Sequence, residues 1–106
     1  MTTKPGEIYR VDLGMAGKVR LMMVLSREDD DAPPALSVCA PVTTAYRGSD
    51  YEVELPRLHF LREKSYVNTQ GIQAIQHHEL SRRPVGVLSG SALEKVYDAV
   101  RYLFDL

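Results

Sequence analysis

GKVRLMMVLS, residues 17–26, is the stretch on which the architecture turns. Read with a period of two, Val19, Leu21, Met23 and Leu25 fall on one face and Arg20, Met22 and Val24 on the other. Both faces are apolar beyond the arginine, the pattern of a strand covered on both sides. Arg20 then stands at the open end of that strand, beside a turn at residues 14–17. Its guanidinium either reaches water along its own stem or meets an anion.

The flanking segments extend the same reading. EIYRVDL, residues 7–13, follows a Pro5-Gly6 turn and alternates Ile8, Val11 and Leu13 with polar residues, so it predicts a first strand. The acidic stretch REDDDAPP, residues 27–34, predicts an exposed connection, because adjacent acids cannot pack together unpaired. Residues 35–43 give a third strand with Leu36, Val38, Ala40 and Val42 on one face and Pro41 at its edge or end. YEVEL, residues 51–55, is a short fourth strand. PRLHFLREKS, residues 56–65, is a basic connection anchored by Leu58, Phe60 and Leu61. YVNTQGIQAI predicts one or two short strands broken at Gly71, and RRPVGVL a final short one. Ser91 and Glu94 then form a capping-box pattern before a helical stripe of Leu93, Val96, Tyr97, Val100, Leu103 and Phe104. Short strands followed by one amphipathic helix predict a mainly β fold: a small, strongly bent sheet or barrel with a helical cover.

Composition bounds the function. The 106 residues, 44% hydrophobic, suit one domain spanning residues 1–106. No apolar run approaches the roughly 20 residues of a membrane span, and MTTKPGE has no secretory apolar region, so the expected location is cytoplasmic. Cys39, the single cysteine, excludes an internal disulfide and a cysteine-based zinc site, and its setting LSVCAPV predicts a buried thiol. Neither the run of acids at 28–31 nor the His77-His78 pair has metal-ligand spacing, so no metal is expected. The net charge is −1, yet its distribution is uneven. Residues 56–83 carry Arg57, Arg62, Lys64, Arg82 and Arg83 against Glu63 and Glu79, with all three histidines. That reads either as a solvated face or as a surface that meets anions.

Five pieces in order, PGEIYRVDL, KVRLMMVLS, SVCAPVTT, QGIQAI and GVLSGSALEKVYDAV, resemble the MazF/PemK (Kid-like) toxins of bacterial toxin-antitoxin pairs. The resemblance implies an SH3-like barrel of short antiparallel strands with a C-terminal helix. It also implies a homodimeric, metal-independent endoribonuclease that cuts single-stranded RNA within short preferred sequences, uses no cofactor, and is neutralised by a cognate antitoxin protein. The family's catalytic arginine matches Arg20 and its catalytic threonine Thr43. Those residue types suit the chemistry. When a ribose 2′-OH attacks the neighbouring phosphate, the phosphorane needs charge stabilisation, which a guanidinium fork and a hydroxyl donor supply. Arginine is a poor base, so its role is charge stabilisation and protonation of the leaving oxygen. His59, in the basic connection, is the candidate proton carrier. The expected RNA-binding set is Lys18, Thr44, Tyr46, Arg47, Arg57, Arg62, Lys64 and Gln73, with Tyr46 and Arg47 offering planes on which a base can stack. Three positions depart from the family pattern. Leu21 stands where a proline is common, Gln73 where many relatives carry arginine, and the first hairpin connection, GMAGK, is short. The competing expectation is a noncatalytic binding module or a CcdB-like topoisomerase poison on the same barrel, though RYLFDL lacks the tryptophan associated with the latter.

Overall fold

The computed structural model of the chain describes residues 1–12 and 19–106, so Leu13, the turn at 14–17, the GMAGK connection and Lys18 lie outside the described residues. The strands are β1 Glu7–Asp12, β2 Val19–Val24, β3 Leu36–Thr43, β4 Glu52–Glu54, β5 Tyr66–Asn68, β6 Gln73–Gln76 and β7 Gly86–Val87. The helix α1, Gly90–Phe104, follows them. Hydrogen-bonded neighbours run β4-β5-β3-β2-β1-β7, all antiparallel, with β6 also on β3. The bent sheet expected from the sequence is thus a curled antiparallel half-barrel, with β2 and β3 at its centre.

The two-sided reading of β2 holds residue by residue. Met23 and Leu25 join the main core with Ile8, Ala40, Leu55, Val67, Leu88 and Val96, and Leu21 packs on its margin. Met22 and Val24 face a second cluster with Tyr9, Val11, Cys39, Ile75 and Leu80. Each fully buried aliphatic side chain contributes roughly 1.5–3 kcal/mol, so a strand that buries Met22, Met23 and Val24 in a row, with Leu25 just beyond it, is the anchor of the sheet. The helix closes the main core with Val96, flanked by Ala92, Leu93 and Val100, while Tyr97 donates its hydroxyl to the Leu25 carbonyl at 2.9 Å. Phe104, expected on the buried stripe, is exposed because the last turn overruns the sheet. The capping box also fails. The helix begins at Gly90, which has φ +62°, placing Ser91 inside the first turn, and no side chain caps it. Among the described residues no helix is long and apolar enough to cross a membrane.

Pro41 lies inside β3 rather than at its end, paired with Met22. Strand alternation explains why this costs nothing. The Val38 carbonyl accepts from Leu25 on the β2 side, so the odd-numbered residues of β3 aim their N–H positions at the opposite edge. On that edge β5 pairs with Val42 and Thr43 and β6 with residues 36–39, and the 3₁₀ turn Thr69–Gly71 fills the gap where a Pro41 N–H would otherwise be missed. Cys39 is fully buried, and burial pushes its thiol pKa up to about 12. We expect no reaction with a thiol reagent in mildly alkaline buffer until the protein is unfolded; fast labelling of the native protein would contradict this packing.

Candidate nucleic-acid interface

Register assembles a site that no single segment displays. β2 pairs Leu21 with Val42, and one further step places Arg20 opposite Thr43. Thr43 is paired on its other side with Tyr66, Tyr66 with Glu54, and Arg20 with Val11. Glu54, Tyr66, Thr43, Arg20 and Val11 therefore form one transverse row across five strands, their side chains on the face of the second cluster. Neighbours in such a row lie roughly 4.5–5.5 Å apart at Cα. The buried residues behind Arg20 and Thr43 on that face, Met22, Val24 and Cys39, hold the two strands in fixed relation.

The functional groups of the row differ in what already engages them. Arg20 is exposed, and none of the ion pairs among the described residues involves it. Thr43 is half-buried; its Oγ1 accepts the Ala45 N–H at 3.1 Å, which leaves the hydroxyl hydrogen to donate outward. Tyr66 is 7% exposed because the ring of Tyr46 lies on it, with centroids 4.2 Å apart and planes 6° from parallel.

The row sits at the strand ends from which the β3–β4 and β4–β5 connections leave, so most residues expected to bind RNA share one end of the sheet. Thr44, Tyr46 and Arg47 lie on the first connection and are exposed. Arg57, His59, Arg62 and Lys64 lie on the second, also exposed, while Leu58, Phe60 and Leu61 pin that connection to the main core. It encloses a cavity of about 220 Å³ lined by Arg57, Arg62 and Lys64 together with Glu54 and Glu63. Lys64 meets Glu54 at 3.6 Å, a solvent-exposed pair of small energetic weight. His59 rests edge-on to Phe60 at 5.4 Å. Gln73 stands apart. It pairs with Cys39, on the same face as Arg20 and Thr43 but four residues along β3, about 13 Å away at strand rise. Among the described residues no group of three His, Cys, Asp or Glu side chains converges on a metal-sized site.

Two residues of this region escape a reading of the sequence. Tyr66 enters through register alone. Glu52 enters through hydrogen bonding: its carboxylate accepts the Arg47 N–H at 3.1 and 3.2 Å, the Ser49 N–H at 3.1 Å and the Ser49 hydroxyl at 2.7 Å. These donors, with the Ser49 hydroxyl foremost, hold its pKa below the ordinary glutamate value. The alternation in YEVEL marks Glu52 as a solvent-side strand residue, and only the fold shows that it ties down the preceding loop.

Known proteins share the family and the fold of this chain. A family model described as PemK-like, MazF-like toxin of type II toxin-antitoxin system matches residues 4–104. The chain belongs to that family. Among solved structures it is similar to the Mycobacterium tuberculosis toxin MazF-mt6, at 29% identity over 94% of this chain and 97% of that one, with a TM-score of 0.80. It also superposes on an endoribonuclease in complex with its cognate antitoxin from Mycobacterial species, at 22% identity, 98% and 96% coverage and a TM-score of 0.83. A third similar fold is that of a MazE-MazF structure from Deinococcus radiodurans, at 19% identity, 100% and 98% coverage and a TM-score of 0.80. No curated protein sequence matches the chain.

Proposed function

We propose that this toxin is a sequence-preferring endoribonuclease that cleaves single-stranded messenger RNA in the cytoplasm without a metal ion, inhibits growth, and is neutralised by a cognate antitoxin. The observation that carries the reading is the β2–β3 register, which pairs Leu21 with Val42 and, carried one residue further, sets Arg20 beside Thr43 on one face at the mouth of the loop cluster. The ribose 2′-OH attacks the adjacent phosphorus, the 2′-O–P bond forms, and the P–O5′ bond breaks. The 2′ proton leaves to a base or to water, and the departing O5′ takes one up. Arg20 lays its two-pronged fork on the non-bridging oxygens as charge accumulates, and the Thr43 hydroxyl donates to the same group. His59, on the neighbouring connection, is the candidate proton carrier for these transfers. Arg57, Arg62, Lys64 and Arg47 attract the strand on either side of the cut, a salt-dependent contribution. Two copies of the chain pair so that the groove continues from one to the other, as the resemblance to dimeric toxins implies.

The test is incubation with mixed-sequence RNA in excess chelator, followed by analysis of the ends. Cleavage survives EDTA and leaves a 2′,3′-cyclic phosphate, or the 3′-phosphate from its hydrolysis, upstream of a 5′-hydroxyl. Replacing the ribose at the cut by deoxyribose stops it, because the nucleophile is gone. Cutting of the deoxy substrate, or strict dependence on magnesium, contradicts the mechanism; binding of RNA with no cutting at all supports the noncatalytic module instead.

A further inference from the structure

We infer that Tyr46 is a preorganised stacking platform for one nucleobase of a nucleotide flanking the scissile phosphate, and that Glu52 is the residue that positions it. This rests on the RNA-cleaving reading of the Arg20 and Thr43 row. Tyr46 is 55% exposed although one face of its ring is fully engaged by Tyr66. The solvent it sees is therefore on its other face and edge. The ring beneath it belongs to the residue paired directly with Thr43, so the platform stands one strand away from the proposed reaction centre. A single nucleotide separates groups at that spacing.

Such a platform is useful only if it is rigid, and the structure supplies the means. The Glu52 carboxylate gathers the N–H groups of Arg47 and Ser49 and the Ser49 hydroxyl, fixing the backbone immediately after Tyr46. Tyr66 fixes the ring from below. Stacking on a ring already held on one face loses little side-chain entropy on binding.

The groove beside Tyr46 indicates which part of a nucleotide enters. Its volume is about 420 Å³, and its walls include Tyr46, Asp50, Glu52, Asp98 and Tyr102, with Lys95 the basic residue among them. Three carboxylates repel a phosphate backbone, so the charged backbone stays on the Arg20 side and the neutral base turns in. Carboxylates at the groove wall also favour bases that present N–H donors to it. Tyr46 thereby contributes to affinity and sequence preference rather than to the chemical step.

Short single-stranded RNAs of varied sequence, with 2′-O-methyl riboses throughout and one 2-aminopurine, bind without being cut and report stacking by fluorescence quenching. Quenching occurs with the native protein at one position, is lost in Tyr46→Ala and is kept in Tyr46→Phe, which retains the ring. With cleavable RNA, Tyr46→Ala raises KM by roughly 5- to 150-fold, the range for loss of one base–aromatic stack, with kcat little changed. An abasic nucleotide at the quenching position raises KM of the native enzyme similarly but adds nothing in Tyr46→Ala. Glu52→Ala shifts KM in the same direction, and Glu52→Gln, which keeps one acceptor oxygen, restores part of it. Cleavage without quenching at any position, or an unchanged KM in Tyr46→Ala, overturns the platform. Quenching without cleavage overturns the nuclease reading and leaves the platform standing, and the absence of both overturns the two together.

Discussion

Arg20→Ala eliminates RNA cleavage, lowering kcat/KM by roughly 10³-fold or more, the scale seen when a charge-stabilising group at a phosphoryl or acyl centre is removed. Thermal stability barely changes. Arg20 is exposed at the end of β2, is absent from the ion pairs of the described residues, and leaves the buried run from Met22 onward intact when it is truncated. Substitutions of that kind shift stability by about 0.5 kcal/mol or less. Arg20→Lys recovers part of the activity, because an ammonium restores the charge without the two-pronged geometry. Thr43→Ala lowers kcat more than it raises KM, since a neutral donor counts most where charge appears in the transition state. Cleavage assays paired with melting curves check all three. Normal cutting by Arg20→Ala, or its failure to fold, would make the arginine a structural residue.

The second large effect falls on stability. Gly6 is buried, has φ +88°, donates its N–H to Val24 at 2.8 Å and accepts from Leu88 N–H at 2.8 Å. A Cβ there would lie 2.0 Å from the Leu88 carbonyl oxygen, a backbone atom that cannot rotate away. Gly6→Ala therefore combines a left-handed backbone penalty with an overlap relieved only by separating β1 from the segment after β7. The expected loss is roughly 3–5 kcal/mol, equivalent to a fall in Tm on the order of 10–20 °C for a domain of this size. Gly48→Ala is the control. Its φ is +72°, but no atom lies within 4 Å of the added carbon, so only the backbone penalty of about 1 kcal/mol remains. Equal melting temperatures for the two variants would show that the strand junction at Gly6 yields more readily than its contacts imply.

The central strand was legible because a period of two is a local property: MMVL on both faces can mean little else, and Arg20 at its mouth stands out against it. The row across Glu54, Tyr66, Thr43 and Arg20 was not legible, since each pairing joins segments whose register depends on the curl of the whole sheet. Thr43 entered through family resemblance, and Tyr66 had no local mark beyond being an aromatic at the start of a strand. Pro41 reads as a strand terminator until the break between β5 and β6 is seen to receive its missing donor. Ser91 and Glu94 satisfied the capping pattern, yet a glycine at Gly90 lets the chain turn into the helix one residue earlier. Local rules succeeded along the central strand, and failed where two segments had to be brought into register and at the helix start, where Gly90 displaced the capping pattern.

The order in which the chain is synthesised makes the helix the last piece of the main core. Arg20, Thr43 and Tyr66 are made well before Val96, yet the core on the other face of their strands is completed by that helix residue, with Ala92, Leu93 and Val100 packed against it. Until the helix is made, Met23, Ala40 and Val67 lack the cover of Val96, while the second cluster behind Arg20 and Thr43 needs no helix residue. A growing chain therefore keeps an apolar face open to solvent until its last residues are made, and the main core is sealed only by the final element.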